Sequence, residues 1–158
     1  MDKNQAMIDY LLTCDAFKNG RLYFNFVNAK DKVTQFLTLE EDKANETPYI
    51  DGSIAKQYSL TVMLYLAVSS NPIVKAPNYD NENIVDMAEV QALMDWINEQ
   101  NDIKHFPDFG SGNHVEEIST TASSPRLAGI DATITPPLGK YSFTIQVKYI
   151  DKSKRIWN

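Results

Sequence analysis

The longest regular pattern in this chain of 158 residues is an alternation over residues 54–68. Ile54, Tyr58, Leu60, Val62, Leu64, Leu66 and Val68 share one parity, and only Lys56 breaks the row. The other parity carries Gln57, Ser59, Thr61, Met63 and Tyr65. Successive side chains of a strand point to opposite faces, so an alternation this long specifies one strand with one face on a core. Such a strand reaches past a compact domain. With the Pro-bearing arm at 69–80 behind it, it predicts a projecting ladder edge or finger.

The remaining elements assemble around that strand. Met7, Ile8, Leu11 and Leu12 fall at helical spacing and predict a helix over 3–14, closed by the turn signal Asn19-Gly20. Strands are predicted at 22–27 and 33–39, joined by Asn28-Ala-Lys-Asp-Lys32 as a hairpin loop. The acidic stretch 40–51 reads as an exposed loop. Asp80 or Asn81 can cap a helix that runs to about Asn101, with Ile84, Met87, Ala88, Leu93, Met94, Trp96 and Ile97 on its buried side. Three strands follow at 114–120, 126–134 and 140–150. The last alternates Tyr141, Phe143, Ile145, Val147 and Tyr149 against Ser142, Thr144, Gln146 and Lys148. The order is α-β-β-β-α-β-β-β. Runs of strands split by two helices predict an α+β fold with a mostly antiparallel sheet. One domain over 1–151 and a basic tail over 152–158 complete the plan.

Composition narrows the function classes. Hydrophobic residues at 43% and charged residues at 23% suit a globular domain rather than a disordered chain. There are 15 Lys+Arg against 21 Asp+Glu, a net charge of -6. That sign opposes binding of nucleic-acid backbone across a whole face. A single cysteine, Cys14, forbids an internal disulfide framework and any Cys-based zinc cluster, and reads as a small apolar core residue at a helix end. The start lacks the basic-then-apolar order of a signal peptide. The longest apolar stretch, 60–68, is far short of the roughly 20 residues a bilayer span needs.

Chemistry-bearing motifs give no support to an enzyme, and no metal or cofactor site is predicted. His105 and His114, nine residues apart across a Pro/Gly loop, lack the geometry of a two-histidine site. Glu116-Glu117 would face opposite sides of a strand. Glu82, Asp86 and Glu89 share a helical face that could in principle hold a divalent cation, but a solvated acidic face is the better explanation. No nucleophile elbow, phosphate loop or dinucleotide fingerprint is present.

Other features ask for a partner. The helix ending near Asn101 carries Glu82, Asp86, Glu89, Asp95, Glu99 and Asp102 with no Lys or Arg, and its late acids oppose the helix dipole. The tail, with Lys152, Lys154, Arg155 and Trp157, is basic with an apolar end. Acidic helix and basic tail, including Asp86, Glu89 and Arg155, are therefore candidates to meet between copies, head to tail. Tyr49, Tyr79, Phe106, Phe109 and Trp157 fall in predicted loops, where aromatics serve as interface anchors.

Trp96-Ile-Asn-Glu-Gln-Asn101 followed by Phe106-Pro-Asp-Phe-Gly110 resembles the signature of the minor-capsid or tail-terminator (tail-completion) proteins of siphophages that infect Gram-positive bacteria. Tyr49-Ile-Asp-Gly-Ser-Ile-Ala-Lys-Gln-Tyr58 resembles the segment before their long strand, and 141–149 resembles their last strand. The likeness spans about 48–150; the segment 119–137, with Pro125, Pro136 and Pro137, departs from the pattern. The resemblance implies a structural virion protein, assembled in the host cytoplasm as a ring, typically of six copies. Its partners would be itself, the tail tube protein and the head-completion or connector protein. DNA would pass through the ring without specific binding. It implies structural or contact roles for Trp96, Glu99, Asn101, Phe106, Pro107 and Asp108. The alternatives are another phage ring component (a head-closure adaptor or a tube protein) or a small cytosolic enzyme or immunity protein.

Overall fold

The structure, a computed structural model, describes residues 2–15, 21–24, 34–40, 46–67, 82–131, 133 and 138–156. Helix α1 spans Lys3–Leu11 and is started by Asp2, whose Oδ1 accepts the Asn4 amide at 3.0 Å. It stops three residues before the predicted end. The Thr13 hydroxyl donates to the Tyr10 carbonyl at 2.7 Å, an alternative to continued helix. The buried stripe is Ala6, Met7, Tyr10 and Leu11, while Ile8 is half-buried and Leu12 exposed. The stripe is thus rotated from the predicted one, because Tyr10 belongs to it. Cys14 is buried, as an apolar core residue should be.

Strands β1 (Arg21–Phe24), β2 (Thr34–Glu40), β3 (Thr47–Pro48), β4 (Ile54–Ala67), β5 (Asn113–Thr120), β6 (Arg126–Asp131) and β7 (Leu138–Asp151) form one sheet. Helix α2, Glu82–Asp102, lies between β4 and β5 in sequence. The sheet order is β1-β2-β4-β7-β5, with β3 beside the start of β4 and β6 beside the start of β7. The fold is α+β with a largely antiparallel sheet and, among the described residues, the two helices α1 and α2, and β3 is an added short strand inside the predicted 40–51 loop.

Two strand expectations are corrected. The long strand is real, but it is not an edge, and the arm with which it is expected to form a finger lies outside the described residues. β4 pairs with β7 along all 14 residues, from Ile54 opposite Asp151 to Ala67 opposite Leu138, and β2 takes its other side. At ~3.3 Å per residue the pair runs roughly 45 Å through the middle of the sheet. The predicted hairpin of the first two strands is a parallel pair, with Arg21 opposite Thr34 and Phe24 opposite Leu37. A tight hairpin joins only antiparallel strands, so this parallel pairing excludes one here. The connection itself, the arm at 69–80 and the predicted helix caps Asp80 and Asn81 lie outside the described residues, as does Val68.

The core lies on one face of the central pair. Tyr58 sits opposite Val147, Leu60 opposite Ile145, Val62 opposite Phe143 and Leu64 opposite Tyr141, and all are buried. Each such aliphatic side chain contributes about 1.5–3 kcal/mol on burial. α2 lays Val90, Leu93, Met94 and Ile97 on this face, with Trp96 half-buried against it. Ala88, expected inside, is exposed; the side chains of Ile84 and Met87 lie outside the described residues, and the described stripe runs from Val90 to a buried polar residue, Gln100. α1 is tied down by Tyr58, whose hydroxyl donates to Asn4 Oδ1 at 3.0 Å, and by Lys3 lying 4.7 Å over the Tyr149 ring. On β5 the register slips between Val115 and Glu117. That bulge puts Val115 and Ile118, three residues apart, on the same buried face. The opposite face of the sheet carries Gln57, Ser59, Thr61, Ser142, Thr144 and Gln146, all half-buried.

Candidate interaction surface

The segment from Trp96 to Asn113 joins α2 to β5, and most of its side chains work inside the domain. The Trp96 ring lies 5.6 Å from that of Tyr10. The Tyr10 hydroxyl donates to the His105 carbonyl at 2.8 Å, and the two rings are 5.4 Å apart. Burial pushes the Tyr10 phenol above its ordinary pKa. α2 closes with a left-handed residue, Lys104 at φ 56°, and with two bonds: His105 N–H to the Gln100 carbonyl and Lys104 N–H to the Asn101 carbonyl. The His105 ring meets the Gln100 side chain at 2.7 Å, which satisfies that buried amide oxygen.

Two asparagines of α2 reach across to β5. Asn101 Oδ1 accepts the Ile118 amide at 3.0 Å, and Asn98 Oδ1 accepts that of Thr120 at 3.4 Å. The Asn101 side chain therefore pins β5. The loop is held by its own residues. Asp108 Oδ1 accepts the Gly110 amide at 2.8 Å, and Asn113 Nδ2 donates to the Phe109 carbonyl at 3.0 Å. Pro107 is buried and Phe106 half-buried against the core. Phe109, predicted as an exposed anchor, is buried. Its ring stands edge-on to Tyr58 at 5.6 Å and to Tyr149 at 5.3 Å. Glu99 is exposed, and its carbonyl accepts the Ile103 N–H at 3.1 Å.

A second constellation gathers where β4 begins and β7 ends. Asp51-Gly-Ser53 and Asp151-Lys-Ser153 repeat one device, in which an aspartate Oδ1 accepts both the amide and the hydroxyl of the serine two residues on. Each aspartate then spends its other oxygen on a cation: Asp51 on Arg155 Nε at 3.1 Å, Asp151 on Lys56 Nζ at 2.8 Å. The Ser53 bonds and the Arg155 charge hold Asp51 below the usual carboxylate range. Lys56 first, then Ser153, does the same for Asp151, and Asp151 raises Lys56 in return. The tail is strapped over the turn by Ile156 N–H, which donates to the Asp51 carbonyl at 2.8 Å. Gly52, at φ +83°, allows the approach: a Cβ there would stand 2.5 Å from the Lys154 carbonyl oxygen.

Turn and tail together wall an open groove of about 460 Å³, lined by Tyr49, Ile50 and Ile150 with polar groups of Asp51, Ser53 and Lys152. Ile50 is 92% exposed and Ile156 70% exposed. The sequence marks Tyr49 and the tail; nothing in periodicity marks Ile50. Trp157 and the side chains of Asp86 and Glu89 lie outside the described residues, as does Tyr79.

On the outer face of α2, Asp95, Glu99 and Asp102 are exposed, and Asp95 accepts the Gln91 amide at 2.8 Å. Glu117, set apart from Glu116 by the bulge, pairs with Lys148 at 3.0 Å. Among the described residues no three His, Cys, Asp or Glu side chains gather as a metal site, and no helix is long and apolar enough to cross a membrane. No protein-family model matches the chain, and no curated protein matches it.

Proposed function

We propose that this chain is a structural virion protein that caps the head-proximal end of a phage tail tube, stops its polymerisation and offers the surface that docks the head. The observation that supports this most is the likeness over 48–150, read with what its signature residues do. Trp96, Asn101, Phe106, Pro107, Asp108 and Phe109 go into fixing the α2–loop–β5 junction. A signature spent on holding shape is what a scaffold component needs. In this reading copies form a ring, expected to be hexameric, with one face matched to the tube and the other unable to accept a further tube subunit. The net charge of -6 suits a lumen through which DNA slides without sticking. The tail tube protein and a head-completion protein are the expected neighbours in the virion.

Disrupting the gene in a phage that carries it tests the reading. The expected result is tails of uncontrolled length, or tails that fail to join heads. Normal infectious particles eliminate the proposal, and purified protein that grows into long filaments on its own assigns it to the tube instead.

A further inference from the structure

The groove at the start of β4 is bordered by apolar side chains that the monomer leaves in water. Burying Ile50 or Ile156 against a partner would remove apolar surface from water and favour association. Beside them Lys152 and Lys154 are exposed and, among the described residues, in no ion pair, whereas Arg155 is held by Asp51. The complementary combination lies at the end of α2. Glu99 and Asp102 are exposed and, among the described residues, in no ion pair, and Ile103 beside them is 64% exposed. The negative end of the α2 dipole falls at the same place and adds to the attraction for cations. The two surfaces sit on different elements: one beyond the ends of β4 and β7, the other on the helix that flanks β5.

We infer that the groove receives the last turn of α2 from a second copy of this chain. Ile103 seats between Tyr49, Ile50 and Ile150, and Glu99 and Asp102 face Lys152 and Lys154. Because the two surfaces differ, the contact is heterologous, and repeated copies close into a ring when the rotation allows. Closure into a ring rests on the proposed function; the pairwise contact stands or falls alone.

Sedimentation velocity on the full chain, at low salt and at about 0.5 M salt, reads the contact. The expected result is association that rises with concentration up to about 1 mM and weakens about tenfold or more in the higher salt. Lys152→Glu with Lys154→Glu in one variant, and Glu99→Lys with Asp102→Lys in another, should each lose association about tenfold or more. Mixing the two should restore it, since each now presents what the other lacks. Ile103→Asp should also abolish it, with circular dichroism unchanged because that side chain is exposed. A wild type that stays monomeric, reversed variants that associate like wild type, or a mixture that is not restored overturns the contact. The outcomes separate from those of the gene disruption. Reversals that abolish association, alongside normal tails in the disrupted phage, keep the contact and remove the terminator reading. Silent reversals alongside uncontrolled tails do the opposite.

Discussion

At the scale of single residues, the turn-and-tail junction depends on one glycine and two aspartates. Gly52 combines a positive φ with a backbone approach that leaves no room for a methyl group. Gly52→Ala should therefore cost about 1–3 kcal/mol and detach the tail, seen as a lower urea midpoint and faster amide exchange at Ile156. The same junction sets the acid limit of stability. Asp51 and Asp151 have folded pKa values below their unfolded ones, so the stability they contribute is present above about pH 4 and is lost as pH falls through the folded values. Asp151→Asn should lower stability near neutral pH and flatten its decline below pH 4, measured by urea unfolding across pH. Tyr10 and Lys56 act at the other end. Their folded pKa values are raised, so their contribution is full below about pH 10 and is lost as pH rises further.

At the scale of elements, β5 shows how this fold manages a sheet edge. Its outward N–H groups at Ile118 and Thr120 are taken by Asn101 and Asn98 of α2, so this stretch of edge offers less to a passing strand. Asn101→Ala should cost about 1–2 kcal/mol by leaving the Ile118 amide unpaired, and it should raise the tendency to aggregate, read by light scattering during refolding. Neither asparagine announces this role in the sequence, because i and i+3 polar residues on a helix read as solvent-facing until a strand is placed beside them. The legible elements were those with a strong period and a covered face: β4, β7 and the apolar stripe of α2. The hairpin reading failed because short apolar runs carry no sign of strand direction, which pairing with β4 decides at a distance. The reading of Phe109 failed for a related reason. Pro107 and Gly110 mark a loop, but only the tertiary fold turns that loop's aromatic inward against Tyr58 and Tyr149.

At the scale of the molecule, one central pair of strands serves every part of the core. α1 reaches it through Tyr58 and Tyr149, α2 through Met94 and Ile97, β5 through Ile118 opposite Val147, and the tail through Ser153, which donates to Asp151. No group of these contacts is closed on itself, so the described core should unfold as one cooperative unit rather than in pieces. Ile145 is the place to test this, because it is fully buried and sits opposite both Leu60 of β4 and Thr120 of β5. Ile145→Ala should cost about 2–5 kcal/mol through lost burial and the cavity left behind. The size of the loss matters less than its uniformity. In a Trp157→Phe background, Trp96 fluorescence reports the α1–α2 contact with Tyr10, while far-ultraviolet circular dichroism reports the whole backbone. Both should give one midpoint in wild type and one common, lower midpoint in Ile145→Ala. Separate midpoints would mean that the helices and the sheet hold independent stabilities, and the long central pair would then be a spacer between two units instead of the axis of one.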